Sequence, residues 1–212
     1  MDDEHAESQL PRTALGRRLR WLIPLALLGV ILMVVALIEA HNQTRQLSNS
    51  GTIQSAGFYP PKSSSPPDFS LPALQGARPD APVGPTNVTM SSLLGTPIVI
   101  NMWSSSCSVC KQETPAMETV ARHAGDAVTF VGVDTADQKA TALAFLSRYD
   151  VSYLQLFDPS EQVGTKYGIW GLPDTVFVSA HGKVVGEYVG ALSVTSLTHY
   201  LRTLFSVHLR PS

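Results

Sequence analysis

Two residues carry the chemistry: Cys107 and Cys110, the only cysteines in the chain, spaced as C-x-x-C. They follow Pro97-Ile98-Val99-Ile100, a β-branched run that predicts a buried strand. A helix-permissive run from Lys111 to His123 comes after them. A strand that turns straight into a helix puts Cys107 at the helix N-terminus, where unpaired N–H groups and the macrodipole favour an anion. The thiolate is the form that attacks disulfides, and such a position lowers the thiol pKa. Cys110 sits one turn further in, close enough to close a small ring and expel a partner held as a mixed disulfide. The chemistry expected is thiol–disulfide exchange.

Other uses of a cysteine pair fit less well. Tetrahedral zinc needs four ligands, no second cysteine pair exists, and His5, His41, His123, His181, His199 and His208 show no ligand spacing. A permanent structural cross-link gains little, because closing so short a loop removes little unfolded-state entropy. A peroxide-reducing cysteine would be preceded by a Pro…Thr-x-x-Cys pattern, but Ile100 and Ser104 hold those positions. No metal and no cofactor are expected beyond the redox-active disulfide of Cys107 and Cys110.

The flanks narrow the reading. Asn101, Met102 and Trp103, then Cys107, Cys110, Lys111, Glu113 and Pro115, follow the pattern Asn-Phe-Trp, three residues, C-x-x-C-Lys-x-Glu-x-Pro. On these residues the chain resembles the thioredoxin superfamily and, within it, the membrane-anchored TlpA/ResA/CcmG (DsbE) group. The likeness runs from about Pro67 to the C-terminus. It departs at Ser106, where the family usually carries an aromatic residue, so an apolar rim residue beside the sulfur is missing. A second stretch, Gly168-Ile169-Trp170-Gly171-Leu172-Pro173-Asp174-Thr175, is similar to the CcmG/DsbE branch. That resemblance implies a cis Pro173 packed against the cysteine pair and a substrate chain pairing with the backbone of Leu172. Trp103 and Ser106 are expected to shape the same substrate-binding surface.

Exchange also needs a group that takes the proton of the resolving thiol. Plain thioredoxins place a titrating aspartate where Asn101 stands here. Glu113, three residues after Cys110, shares its helix face, and in the ResA-like group the matching glutamate serves as the proton acceptor. A solvated surface glutamate is the alternative at this position. The catalytic set expected is therefore Cys107, Cys110, Glu113 and Pro173.

The remaining sequence must position these residues. A chain of 212 residues holds one domain of ordinary size plus appendages, and a net charge of −2 points to no nucleic-acid partner. Residues 1–20 form a polar tail containing Arg12, Arg17, Arg18 and Arg20. Trp21 to Ile38 carries no charge over eighteen residues, so 21–39 is predicted to be a transmembrane signal-anchor helix. The arginines keep the N-terminus cytoplasmic and place the catalytic domain outside a bacterial cell membrane. A cleaved signal peptide is the alternative. Residues 40–66, rich in Ser, Gly, Asn, Gln and Pro, read as a flexible linker, and 67–212 as the thioredoxin-like domain.

Within that domain strands alternate with helices and finish as a hairpin and a helix, giving an α/β fold with a mixed sheet and helices on both faces. Ala136 to Tyr149 reads as a helix packing through Ala140, Leu143, Ala144 and Leu146. Thr175–Val178 and Lys183–Val189 read as a hairpin, and Ser193–Phe205 as the closing helix. The resemblance implies a TlpA-type central insertion from about Thr135 to Phe157. It also implies a membrane-tethered oxidoreductase that reduces protein disulfides, as in cytochrome c maturation. Its partners would be protein disulfides or dithiols such as apocytochrome c, and a membrane electron-transfer protein. An oxidant that forms disulfides in secreted proteins, or a metal- or haem-handling chaperone, are the competing functions.

Overall fold

The computed structural model describes residues 28–37, 56–75 and 87–209. The chain divides into two compact units, 1–53 and 54–212. In the first, residues 28–37 form helix α1, with every side chain exposed. Among the described residues no helix is long and apolar enough to cross a membrane. The rest of the span expected at 21–39, the tail 1–20 and residues 40–55 lie outside the described residues.

The second unit is an eight-stranded mixed sheet. Its strands are β1 (Gly57–Tyr59), β2 (Ser70–Gln75), β3 (Asn87–Thr89), β4 (Ile98–Trp103), β5 (Thr129–Thr135), β6 (Leu154–Asp158), β7 (Asp174–Val178) and β8 (Val184–Val189). They lie in the order β1-β8-β7-β4-β5-β6-β2-β3. Only β4–β5 and β5–β6 are parallel; β1, β7 and β8 pair antiparallel on one side, and β2 and β3 on the other. The helices are α2 (Ser108–Ala124), α3 (Lys139–Arg148), α4 (Gln162–Tyr167) and α5 (Val194–Phe205).

β4 is central and fully buried, so it reads as a nearly continuous apolar run. Its side chains alternate between two cores. Val99 and Trp103 join Met117 and Val120 of α2, Phe145 of α3 and Leu197 and Leu201 of α5. Ile98, Ile100 and Met102 join Val163 and Tyr167 of α4, with Phe69, Leu71 and Met90. Asn101 shares the parity of Val99 and Trp103, which aims it at α2.

Two expectations change. The inner face of α3 is Ala142, Phe145 and Leu146, while Ala140, Leu143 and Ala144 are exposed. Alanine is nearly indifferent to burial, so the aromatic ring sets the rotation of the helix, with Phe145 stacked on Trp103 at 4.5 Å. The 40–66 stretch is also not linker throughout, because β1 lies within it and pairs with β8. Phe58 anchors that strand, stacked on Tyr200 at 4.9 Å. Its ring occupies the place a side chain at 186 would need, since a Cβ there would stand 2.2 Å from Phe58 Cζ. Two adjacent aromatic residues, Phe58 and Tyr59, in a stretch of serines and prolines give no period for a sequence reading to detect.

Candidate active site

The cysteine pair stands where β4 ends and α2 begins. Cys107 is the N-cap of α2 and is part-exposed; its Sγ accepts the Cys110 N–H at 3.0 Å. Cys110 is 1% exposed. The two form a disulfide, with Cα atoms 5.3 Å apart. An N–H aimed at the outer sulfur is the arrangement that favours a thiolate there once the bond is reduced. The loop before Cys107 is pinned. Ser104 O accepts the Cys107 N–H at 3.1 Å, and Asp137 Oδ2 accepts the Ser105 N–H at 2.6 Å. Burial raises the Asp137 carboxyl, but hydrogen bonds to Ser105, Asp134 and Thr141 together hold it below the ordinary range. Ser106 is exposed on the rim, its hydroxyl 3.0 Å from that of Ser104.

Glu113 is not a surface glutamate. It lies on the inner face of α2, 2% exposed. Leu192 N–H donates to Oε1 at 2.8 Å and Asn101 Nδ2 to Oε2 at 2.9 Å. Asn101 Nδ2 also donates to Thr175 Oγ1 at 3.1 Å. Burial pushes the Glu113 carboxyl up to about 7, and the two donors only moderate it. The carboxyl therefore titrates close to neutral pH. Pro115 lies inside α2 two residues on, within an unbroken helix.

Trp103 is buried; its indole N–H donates to Gln155 Oε1 at 2.9 Å, and its ring lies on Phe145. Both partners come from the 135–157 stretch, so that stretch supports the floor of the site. Pro173 follows a cis peptide bond from Leu172, the isomer implied by the resemblance. It is buried, and its carbonyl accepts the Gly190 N–H at 2.9 Å. Leu172 is half-buried and packs against both cores, one of which holds Cys110. Trp170, in the loop before it, is 92% exposed.

Other polar residues here were not singled out as functional from sequence. Asn101, which cannot titrate, holds Glu113 through its amide. Asp174, a letter of the proline motif, is buried, and burial and then Glu187 push its carboxyl up to about 8. Lys62 Nζ donates to Glu187 Oε1 at 3.0 Å and to Gly168 O at 2.9 Å. Asp134, beside Trp103 in the sheet register, is pushed up to about 8 by burial and then by Asp137. Asn101 and Asp174 could have been found, as polar residues in otherwise buried strands. Lys62 and Glu187 have no local signal.

Residues 64–186, more than half of the chain, match the AhpC/TSA family. The thiol:disulfide interchange protein DsbE of Allochromatium vinosum is 33% identical over 127 residues, covering 59% of this chain. The match spans 65% of that relative, just under two thirds of its length. The thiol-disulfide oxidoreductase ResA of Bacillus subtilis is 27% identical over 139 residues, covering 65% of this chain and 73% of that protein. Among solved structures, a secreted Mycobacterium tuberculosis disulfide oxidoreductase homologous to E. coli DsbE superposes with a TM-score of 0.54. It is 27% identical and covers 62% of this chain and 92% of that one.

Proposed function

The chain belongs to the AhpC/TSA family, and from that premise we propose that it is a thiol–disulfide oxidoreductase that reduces protein disulfides outside the cytoplasm. One observation carries the reading: an outer sulfur at a helix N-cap and an inner one sealed from solvent, with a buried carboxyl titrating near pH 7 one turn further along.

In the reduced chain the Cys107 thiolate attacks one sulfur of a substrate disulfide, and the other sulfur leaves as a thiolate that takes a proton. The product is a mixed disulfide through Cys107. Glu113 then accepts the proton of Cys110, whose sulfur attacks Cys107 Sγ. That step closes the Cys107–Cys110 bond and expels the second substrate sulfur as a thiolate, which is protonated as Glu113 gives up its proton, directly or through water. Two electrons pass to the substrate, and two protons end on its sulfurs. A carboxyl with a pKa near ambient pH suits this transfer, because both of its protonation states are populated. Asn101 and the Leu192 N–H hold it in place and do not exchange protons with it.

Direction follows from what surrounds the outer sulfur. Ser108 and Val109, between the cysteines, are exposed and bring no ionisable group to stabilise its anion. Glu113, once ionised, disfavours a second negative charge nearby. These features support a reductant. A reductant outside the cytoplasm must itself be reduced across the membrane, which fits a tether at 21–39 and a membrane electron-transfer partner. Protein disulfides, apocytochrome c among them, are the substrate class in this reading, and electrons reside only on the cysteine pair.

A redox titration against glutathione tests the proposal. The couple is expected near about −270 mV, and a value near about −120 mV would make the protein an oxidant instead.

A further inference from the structure

Behind Pro173 a polar cluster interrupts an apolar layer. Asp174 and Glu187 are 1% and 4% exposed. In the β7–β8 register Asp174 faces Val189 and Glu187 faces Val176, so the two carboxyls are diagonal neighbours on one face. Lys62, from the stretch after β1, reaches them through Glu187 Oε1 and is bound at the same time to the carbonyl of Gly168. Gly168 is the C-cap of α4, at φ 69°, and opens the loop that ends at Leu172 and Pro173. One ammonium thus joins the beginning of this loop to the acid pair beneath its end.

Two carboxylates in so dry a place do not both ionise without a cation beside them. Lys62 is the cation hydrogen-bonded there, and its charge draws the Asp174 titration down against burial and Glu187. Other groups facing the pair are Tyr59 of β1, opposite Glu187 in register, and Lys166 and Tyr167 of α4, which line a cavity of about 220 Å3 with Lys62 and Glu187. Glu113 acts on Asp174 through its charge. Lys166 is engaged with Asp68 O at 3.0 Å.

We propose that Lys62 is a positioning residue for the exchange reaction, clamping the Gly168–Pro173 loop at its start and balancing the charge of the Asp174–Glu187 pair under its end. The inference rests on the reading that this loop docks the partner's polypeptide.

The test uses the full-length protein in detergent, with Lys62→Met and Lys62→Arg. Three quantities are measured: the Asp174 carboxyl titration by NMR, kcat and KM for a disulfide-bonded peptide, and alkylation of reduced Cys107. In Lys62→Met the Asp174 midpoint should move up, and KM should rise about fivefold, the weight of one half-exposed charged contact. Cys107 alkylation should stay at the wild-type rate, and Lys62→Arg should restore the other two. An unmoved Asp174 midpoint in Lys62→Met overturns the clamp, as does an unchanged KM or the same loss in Lys62→Arg. If the wild type exchanges with no disulfide peptide, it is the proposed activity that falls. The Asp174 titration then decides on the clamp by itself.

Discussion

Replacing Glu113 by Gln should remove a pH dependence of folding that the wild-type protein carries. The folded-state carboxyl titrates near 7, against an ordinary value of 4.5. Because the folded value is the higher one, the folded chain binds the proton more tightly, and stability falls as pH rises through 4.5 to 7. At about 1.4 kcal/mol per pH unit, the whole window amounts to ~3 kcal/mol. The loss is complete above pH 7 and absent below 4.5. Glu113→Gln has no such slope. It carries a pH-independent offset as well, because the Gln amide presents one acceptor and one donor to the Leu192 and Asn101 N–H groups. Asp134 also has a raised value, near 8, and its contribution is common to both proteins. Asp174, near 8 as well, loses the small upward push of the Glu113 charge in the variant, which adds to the difference between the curves in the same direction. Urea denaturation of the oxidised forms at half-unit steps from pH 4 to 8.5 reads the difference directly. Parallel stability curves for the two proteins would refute the buried, near-neutral carboxyl and with it the proton-acceptor role.

Cys110→Ser should accumulate mixed disulfides through Cys107, visible on non-reducing gels, whereas Cys107→Ser should trap none; equal trapping would reverse the assigned roles. Gly132→Ala should cost about 1–3 kcal/mol, because the new Cβ would meet Gln155 Oε1 at 2.0 Å and Cδ at 2.6 Å. Its diagnostic sign is a shift of Trp103 fluorescence as the indole loses its acceptor, and an unchanged spectrum would show that Gln155 moves freely. Ser193→Ala removes the N-cap of α5, whose Oγ accepts the Ser196 N–H at 3.1 Å, and should lower stability by about 1 kcal/mol in thermal unfolding.

What the sequence made legible was local. The C-x-x-C between a β-branched strand and a helix placed Cys107 at an N-cap, and the i,i+3 spacing put Glu113 on the same face as Cys110. Each of those relations spans a few residues and obeys one period. The extent of α5 came from the same kind of local pattern, and Leu197 and Leu201 are its buried residues. Relations between distant segments stayed hidden. Nothing near Glu113 announces that the backbone of Leu192 will bind it. Nothing near Lys62 announces Glu187, or near Phe58 its place against Tyr200. The face of α3 was misjudged for a related reason: its alanines fit a helical period equally well on either side, and only packing of Phe145 on Trp103 decides between them.

The hydrogen bonds around Glu113 also set an order of assembly. The two cysteines are three residues apart and can meet as soon as α2 forms. Asn101 is twelve residues from Glu113 and arrives with the same hairpin of strand and helix. Thr175, which steadies Asn101, lies 74 residues further on, and Leu192 is 79 residues beyond the acid. Closing loops of that length comes late in folding. A chain emerging N-terminus first therefore displays its cysteine pair well before residue 192 exists to complete the hydrogen bonding of Glu113. During that interval the cysteine pair stands without the buried carboxyl and closed core that surround it in the finished domain, so exposure of the half-made domain to oxidants is its vulnerable period.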